Sequence, residues 1–308
     1  MKVVAVVPSF RSKTTIAMVV TDCLKHCSNV VVVDDSCPDQ TGNTVDGIDP
    51  RVIVVYREEN GGVGAATKTG ILRALSLDAD IIVKIDSDGQ MNPDLIPLLI
   101  QPIRAGEADF CKGTRFDSPE DLEGMPLMRL VGNAALSLIN KFSSGYWSVN
   151  DPTNGFLALS ANLSKELRWD KIADDYFFES DLLFRLRLVG ARISQMRMKS
   201  VYGSERSGLK PIKILIPFLA NHLRNQFKRL IYMYFVREWN LGTIYLLASL
   251  LPLGVAIASS FSAFQQAELG SVGTGTAVLS SLGFILWVQL TTQFIAVDVT
   301  SEPRHIKM

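Results

Sequence analysis

The chain has 308 residues, of which 31 are basic and 31 acidic, so its formal net charge is zero. This balance argues against a nucleic-acid-binding protein, which usually carries a basic excess. The length permits one or two domains. Charged residues alternate with apolar runs up to about Lys210 and become sparse afterwards. The pattern therefore predicts a water-soluble region followed by a membrane region.

The first part of the chain alternates short apolar runs with segments of helical length. Four runs rich in Val and Ile are predicted to be buried strands: residues 3–7, 30–33, 52–56 and 81–85. Residues 14–26 and 63–77 are predicted to be helices. The first run ends at Pro8 and is shorter than the apolar region of a signal peptide, so it is interpreted as a strand. This rhythm predicts an α/β fold with a mostly parallel sheet covered on both faces.

Polar residues follow three of the predicted strands. They are Pro8-Ser9, Asp34-Asp35-Ser36 and Asp86-Ser87-Asp88. Ligands of parallel sheets bind outside the carboxyl ends of the strands, so these residues are expected to share one site. Asp86 and Asp88, with the amide of Gln90, are hard oxygen donors that suit Mg²⁺ or Mn²⁺. A D-x-D pair by itself is more often a polar turn, and the neighbouring strand ends favour the cation site here.

A glycine-rich segment after the third strand has two other possible interpretations. Gly62-Val63-Gly64 lacks the third Gly or Ala of a dinucleotide fingerprint, and it follows a third strand instead of a first. In a P-loop, a Gly would have to precede Lys68, where this chain has Thr67. The segment is interpreted as a turn that lets a helix begin close to the ligand.

Two long segments late in the chain contain no charged residue, residues 241–264 and 269–297. About 20 apolar residues cross a bilayer, so two transmembrane helices are predicted, with a buried helical hairpin as the alternative. Basic residues flank both segments: Arg224, Lys228, Arg229, Arg237, Arg304 and Lys307. By the positive-inside rule, both termini and the water-soluble region are expected on the cytoplasmic side of the inner membrane.

Four segments, in this order, resemble the inverting glycosyltransferases of family 2, which have the GT-A fold: residues 7–10, 33–36, 60–64 and 86–90. Three later segments are similar to the polyprenyl-phosphate sugar synthases of the dolichol-phosphate mannosyltransferase type: residues 112–116, 151–156 and 177–183. The predicted membrane hairpin matches the bacterial membrane-anchored branch of these enzymes.

The resemblance implies a UDP-linked or GDP-linked sugar donor and a divalent cation, Mg²⁺ or Mn²⁺. The implied donor-site residues are Pro8, Asp35, Gly61, Asp86 and Lys112. Asp35 would hydrogen-bond the nucleotide base, with Pro8 packed beside it. Asp86 and Asp88 would hold the cation against the diphosphate, with Gln90 as a further ligand.

The resemblance also implies an acceptor site and a set of catalytic residues. Arg115 and Arg129 match arginines expected at an acceptor phosphate, and Arg206 and Lys210 can take the basic positions of a later segment whose spacing is altered. Asp181 falls at the acidic position of the helix motif in this family. The implied catalytic residues are Asp88, Asp181, Arg115, Arg129 and Arg206.

The type of acceptor decides whether the enzyme requires a base. A sugar hydroxyl must lose a proton, so Asp181 would act as general base. A phosphate monoester has a second pKa of about 6 and can attack unaided, with arginines to hold it. We expect transfer to polyprenyl phosphate with inversion. The alternative enzyme extends a lipid-linked saccharide or glycolipid hydroxyl in cell-surface polysaccharide assembly, and a rival from another class is a non-catalytic subunit that anchors a partner.

Apolar residues recur at helical spacing in residues 212–231, with basic residues between them. This pattern predicts amphipathic juxtamembrane helices drawn to anionic lipid, with an ordinary helix packed on the catalytic domain as the alternative. The expected division is a GT-A domain over 1–210, juxtamembrane helices over 211–239, a hairpin over 240–300 and a tail over 301–308. Expected partners are the sugar nucleotide, polyprenyl phosphate and membrane lipids, and a homo-oligomer is left open.

Overall fold

The computed structural model describes residues 1–116, 127–198, 211–268 and 270–303, without the side chains of residues 128, 129 and 211–215. The chain forms two compact units. Met1–Gln226 make up most of the first, and Phe227–Glu302 make up the second. The first unit contains the sheet, and the second contains the long apolar helices.

The first unit alternates strands with helices, as the sequence predicts. Its strands are β1 (Val3–Ser9), β2 (Asn29–Asp34), β3 (Val52–Tyr56), β4 (Ile81–Lys84), β5 (Phe110–Thr114), β6 (Leu157–Ser160) and β7 (Ile193–Arg197). Its helices are α1 (Ile16–Cys23), α2 (Val63–Ser76), α3 (Ile96–Arg104), α4 (Leu127–Ser144), α5 (Ala161–Glu166), α6 (Phe178–Val189) and α7 (Pro211–Ile231), the last of which continues into the second unit.

The seven strands form one sheet in the order β3-β2-β1-β4-β6-β5-β7. β6 runs antiparallel to both of its neighbours, and the other strand pairs are parallel. Pro8 of β1 pairs with Val33 of β2, and Val6 of β1 pairs with Lys84 of β4. The carboxyl ends of these three adjacent strands therefore meet at one edge of the sheet, which confirms the α/β, mostly parallel prediction.

Both faces of the sheet are buried. Val4 and Val6 of β1 enter a core cluster with residues of α2 and α6, whereas Val3 and Val7 enter a second cluster with residues of α1 and α3. Side chains of a strand point alternately to opposite faces, so a strand covered on both sides is apolar at most of its positions. This arrangement explains the continuous Val and Ile runs in the sequence.

The end of β2 is fixed by a buried carboxylate. Asp34 Oδ1 accepts a hydrogen bond from the Cys37 backbone N–H at 2.7 Å, and Asp34 Oδ2 accepts one from the Gly42 N–H at 2.7 Å. These bonds close the loop after β2 without a ligand. They leave Asp35, the next residue, to face the carboxyl edge of the sheet.

The second unit contains α8 (Leu241–Glu268) and α9 (Thr274–Thr300). Both helices are long and apolar enough to cross a membrane, and most of the surface of each is exposed. They pack against each other along their length, and the Ser260 and Ser280 hydroxyl oxygens lie 2.6 Å apart.

A buried polar network joins the start and the end of the second unit. Arg229 Nη1 and Nη2 donate to the Asp298 carboxylate at 2.6 and 3.0 Å. The Tyr234 hydroxyl, in a π-helical stretch at Tyr232–Arg237, donates to Asp298 Oδ1 at 2.7 Å. A buried carboxylate needs such partners because removing an ion from water costs several kcal/mol. The network therefore explains how α9 accommodates Asp298.

Candidate active site

A chain of hydroxyl groups anchors the turn that follows β4. The Ser9 and Ser12 hydroxyl oxygens lie 3.0 Å apart, and the Ser12 hydroxyl donates to Ser87 Oγ at 2.8 Å. The Thr15 hydroxyl donates to the Ser87 carbonyl at 2.6 Å. The turn is thereby fixed to the end of β1 and to the start of α1. This arrangement brings the predicted strand-end residues of β1 and β4 together.

The carboxylates of this turn have different surroundings. Asp86 Oδ1 lies 2.7 Å from the Lys84 ammonium, which is itself 1% exposed and also donates to Glu179 Oε1 at 3.1 Å. Burial by itself would lower the pKa of Lys84, but the carboxylates of Asp86 and Glu179 outweigh burial and hold this pKa above its ordinary value. Asp88 Oδ1 accepts a hydrogen bond from the Gln90 backbone N–H at 2.9 Å.

The donors in the turn fit a hard divalent cation. Asp86 and Asp88 supply carboxylate oxygens, and Gln90 supplies an amide oxygen on the same turn. Mg²⁺ is commonly held by one or two protein carboxylates, with water and substrate phosphate in its other positions. Within the described residues, no group of three or more His, Cys, Asp or Glu side chains is placed to hold a metal.

A second buried lysine lies on the other side of β6. Lys84 of β4 and Lys112 of β5 both pair with Leu157 of β6. Lys112 is 1% exposed and donates to the Asn154 carbonyl oxygen. Burial lowers the pKa of Lys112 to about 8. The structure thus places Lys112 beneath the loop before β6, and its predicted contact with the sugar nucleotide stays a prediction.

Arg115, at the end of β5, is held in a two-point ion pair. Its Nε donates to Asp151 Oδ2 at 2.7 Å and its Nη2 to Asp151 Oδ1 at 2.9 Å. Asp151 is buried, whereas about a third of the Arg115 side chain (33%) is exposed. Asn154 donates to Asp151 Oδ2 at 3.3 Å, which connects this pair to the loop over Lys112. The guanidinium plane of Arg115 is therefore oriented before any ligand binds.

The other predicted acceptor residues cannot be placed in the site. Arg129 lies on α4, and its side chain falls outside the described part of the chain. Arg206 and Lys210 also lie outside the described residues. Their role at an acceptor phosphate stays a prediction, and so does that of Arg115.

Asp35 organises the glycine turn before α2. Its Oδ1 and Oδ2 accept hydrogen bonds from the Gly61 and Gly62 backbone N–H groups at 3.1 and 2.8 Å. Arg57 Nε lies 2.8 Å from Asp35 Oδ1. An ionised carboxylate offers about four lone-pair sites, so Asp35 keeps capacity for one more N–H donor. Pro8 is buried nearby in β1. The predicted contact of Asp35 with a nucleotide base is not tested by this geometry.

Asp181, in the first turn of α6, is buried and accepts a hydrogen bond on each of its two oxygens. It is 1% exposed. Its Oδ1 accepts from Asn225 Nδ2 of α7 at 2.8 Å, and its Oδ2 accepts from the Ala173 backbone N–H at 3.0 Å. Arg185 Nε lies 3.8 Å from Oδ2. Asp181 therefore ties α6, α7 and the loop before α6 together.

The same loop packs against the glycine turn. The Ala65 backbone N–H donates to the Asp174 carbonyl at 3.0 Å, and a Cβ added to Gly64 would lie 2.5 Å from the Ala173 carbonyl oxygen. Only a glycine permits this close backbone approach. The glycine turn held by Asp35 therefore contacts the loop held by Asp181.

The buried face of α7 is polar. His222 Nδ1 lies 2.7 Å from the Ser143 hydroxyl, and its ring packs edge-on against Phe177 and Phe218. Burial lowers the pKa of His222 to about 4. With Asn225 on the same face, α7 is docked by specific hydrogen bonds instead of by an apolar stripe.

The exposed face of α7 is apolar and basic. Its large apolar side chains with substantial exposure are Ile216, Leu219, Leu223, Phe227 and Ile231. Arg224 and Lys228 are exposed between them. This polarity is the reverse of a helix on a water-exposed surface, where the apolar stripe faces the core. The helix predicted over this segment is present, and its outward face suits a lipid surface.

Several residues of the site are absent from the sequence-based candidates. Lys84, Glu179, Asp151 and Asn225 hold the predicted residues in place, and only Lys84 has a strong signal in the sequence. A charged residue inside the run of residues 81–85 predicts a buried ion pair, because charged side chains are almost never fully buried without one. The partners come from distant positions, so the sequence does not identify them.

Comparison with known proteins identifies the class of protein. Residues 4–168 match the sequence family described as "Glycosyl transferase family 2". This match covers more than half of the chain, and the strand-end site described above lies largely within it. The chain belongs to glycosyltransferase family 2.

Two of the relatives have names that state an enzymatic activity. The chain is 31% identical over 229 residues to a UDP-N-acetylglucosamine–dolichyl-phosphate N-acetylglucosaminyltransferase of Methanococcus voltae, covering 69% of this chain and 90% of that protein. It is 32% identical over 173 residues to an undecaprenyl-phosphate mannosyltransferase of Micrococcus luteus, covering 55% and 70%. Both of these relatives are sugar transferases named for polyprenyl-type phosphates.

A solved structure supports the fold. Glucosyl-3-phosphoglycerate synthase of Mycobacterium tuberculosis superimposes with a TM-score of 0.54 at 21% identity, covering 74% of this chain and 79% of that one. This likeness, at low identity, concerns the fold alone, and it confirms the predicted GT-A architecture.

Proposed function

We propose that the protein transfers a sugar from a UDP-linked or GDP-linked donor to polyprenyl phosphate, with inversion and with the help of a divalent cation. Support comes from the carboxylate turn at the edge of the sheet, from the relatives and from the outward face of α7. The proposed division is a catalytic domain over 1–210, juxtamembrane helices over 211–239, a membrane hairpin over 240–300 and a tail over 301–308.

The proposed cation ligands are Asp86, Asp88 and Gln90. Their oxygen donors suit Mg²⁺ or Mn²⁺, and the solved structure of the M. tuberculosis enzyme contains Mn²⁺ and uridine diphosphate. When bound, the cation would offset the negative charge that develops on the leaving diphosphate. Asp35 would accept a hydrogen bond from the base, beside Pro8 and the Gly61 turn. Lys112 would support the donor from beneath the loop that precedes β6.

The engagement of Asp181 is the observation that carries the choice of a phosphate acceptor. A general base must reach the proton that it removes, at about 2.6–3.2 Å or through one water. Asp181 is 1% exposed, and both of its oxygens already accept hydrogen bonds from Asn225 and Ala173. A phosphate monoester needs no base because it is largely ionised near neutral pH. The two named relatives, whose names specify phosphate lipids, point the same way.

The acceptor phosphate would be held by Arg115, Arg129, Arg206 and Lys210. Arg115 is the member of this group whose side chain the structure describes, and Asp151 fixes the plane of its guanidinium. An arginine fork that is already oriented loses less conformational entropy when it binds a phosphate. This orientation supports, for Arg115, a role in anion binding.

The proposed location is the inner membrane, with the catalytic domain and both termini on the cytoplasmic side. The support is the length and composition of α8 and α9, together with the basic residues that flank them. The apolar face of α7, with Arg224 and Lys228, would lie in the interfacial region of the bilayer. A lipid phosphate would then reach the site from the membrane surface.

A transfer assay with matched acceptors tests the proposal. The purified full chain is incubated with a panel of nucleotide sugars, with Mg²⁺ or Mn²⁺, and with polyprenyl phosphate, the corresponding polyprenol or a lipid-linked saccharide. We expect a product only from the phosphate, lost with EDTA and restored by the cation. Transfer to the saccharide and not to the monophosphate would overturn the choice of acceptor.

A further inference from the structure

We propose that Lys84 and Glu179 are positioning residues that fix the Asp86 carboxylate and set the affinity of its turn for a divalent cation. The inference rests on the proposed function, because it takes Asp86 as a cation ligand. It goes further by assigning a role to a buried ion cluster that the proposed reaction does not otherwise use.

The burial of Lys84 requires an explanation. Its ammonium is 1% exposed, in the middle of the sheet, where an isolated charge would be very unfavourable. The structure provides carboxylates from two different elements, Asp86 at 2.7 Å and Glu179 at 3.1 Å. Replacing this cluster by apolar side chains is often neutral or stabilising in proteins, so stability alone does not account for it.

The geometry directs Asp86 toward the edge of the sheet. Its carboxylate is 29% exposed, although the Lys84 side chain that contacts it is buried. Lys84 therefore approaches Asp86 from the interior, and a cation would approach from the open side. The arrangement restrains the carboxylate through Oδ1.

The backbone at Gly155 packs against the ion pair of Lys84 and Asp86. A Cβ added at this position would collide with Asp86 Oδ2 and with Lys84 Nζ. The backbone of the loop before β6 thus packs directly on the ion pair. Any side chain at residue 155 would have to displace the carboxylate or the ammonium, which gives a second way to test the cluster.

The charges predict the effect on cation binding. Lys84, Asp86 and Glu179 together carry one negative charge when all are ionised. Replacing Glu179 by glutamine removes that charge and keeps an oxygen that can accept from Lys84. The ammonium then acts on Asp86 alone. A cation at the Asp86–Asp88 turn should bind about tenfold more weakly, because a unit charge a few ångströms away acts strongly on a divalent ion.

The test measures Mn²⁺ binding by electron paramagnetic resonance, with the full chain in detergent, in the presence and absence of uridine diphosphate. Glu179→Gln is compared with Glu166→Gln, which removes the same charge from an exposed position on α5. We expect a dissociation constant about tenfold higher for Glu179→Gln and an unchanged value for Glu166→Gln. Thermal unfolding of each variant reports whether it is folded.

Gly155→Ala provides the second variant, with Gly132→Ala as its control, because an added Cβ at Gly132 meets nothing within 4 Å. Weaker Mn²⁺ binding by Gly155→Ala, with unchanged binding by Gly132→Ala, supports the inference even if Glu179→Gln does not fold. Wild-type affinity in folded Glu179→Gln and in Gly155→Ala overturns it and leaves the proposed function intact. Absence of saturable Mn²⁺ binding by the wild type with uridine diphosphate overturns the cation site and, with it, this inference.

Discussion

The replacement of Asp181 by asparagine tests whether this residue acts as a general base or as a structural hydrogen-bond acceptor. Asp181 accepts hydrogen bonds from Asn225 Nδ2 at 2.8 Å and from the Ala173 N–H at 3.0 Å. An asparagine keeps one oxygen and turns an N–H group toward one of these donors. One buried donor is then left unpaired, which costs about 1–3 kcal/mol. We expect the free energy of unfolding to fall by that amount.

The matched variant is Asn225→Ala, which removes one of the same hydrogen bonds without changing a carboxylate. If Asp181 acts by holding α7 and the loop at Ala173, both variants should lose stability and lower kcat by less than about tenfold. Loss of a general base usually lowers the rate by about 10²- to 10⁴-fold. The two roles therefore differ in kcat by a margin that a turnover assay resolves.

The assay combines thermal unfolding with steady-state transfer of sugar to polyprenyl phosphate. A double-mutant cycle of Asp181→Asn and Asn225→Ala should show coupling, because the two side chains share a hydrogen bond. The reasoning fails if Asp181→Asn loses a hundredfold or more in kcat while Asn225→Ala keeps the wild-type rate. Asp181 would then act as a general base, and the premise that the phosphate acceptor attacks unaided would be wrong.

Three other predictions concern separate parts of the chain. Asp88→Asn should lower kcat/KM by about 10³-fold, because it removes one of the charged oxygen donors proposed to hold the cation; steady-state kinetics over a range of Mn²⁺ concentrations checks it, and an unchanged rate contradicts the cation site. Burial lowers the pKa of Lys112 to about 8 from an ordinary value of 10.5. The folded state then binds fewer protons than the unfolded state between these pH values, so the unfolding free energy of the wild type relative to Lys112→Met should rise by about 3 kcal/mol from pH 8 to 10.5. The prediction is refuted if denaturant titrations show that the difference in unfolding free energy between wild type and Lys112→Met does not change with pH. Asp298→Asn should destabilise the second unit by about 3–5 kcal/mol, because it leaves the buried Arg229 with a neutral partner. Equal melting temperatures for wild type and variant in detergent would contradict that value.

The strands and the edge of the sheet could be predicted from the sequence because their signals are local. The Val and Ile runs match β1 to β4 closely, and polar residues at strand ends meet wherever neighbouring strands are parallel. Asp86 and Asp35 could therefore be assigned to one edge without knowledge of the tertiary structure. The antiparallel placement of β6 between β4 and β5 could not, because no local pattern specifies which strand is inserted.

The supporting residues could not be predicted because their partners are far away in the chain. Lys84 meets Glu179 across 95 positions, and Asp181 meets Asn225 across 44. Asp181 has the residue type of a base, and only the tertiary structure shows that it is buried and that each of its oxygens accepts a hydrogen bond. The same holds for Arg115, whose orientation depends on Asp151.

The phosphate content of the lipid product tests the central claim most directly. The full chain is incubated with its best nucleotide sugar, the cation, polyprenyl phosphate and a lipid-linked saccharide, and the lipids are analysed by tandem mass spectrometry. A single sugar joined through one phosphate to the polyprenol is the predicted product. A sugar attached to another sugar, with the polyprenyl monophosphate left unchanged, would contradict the account.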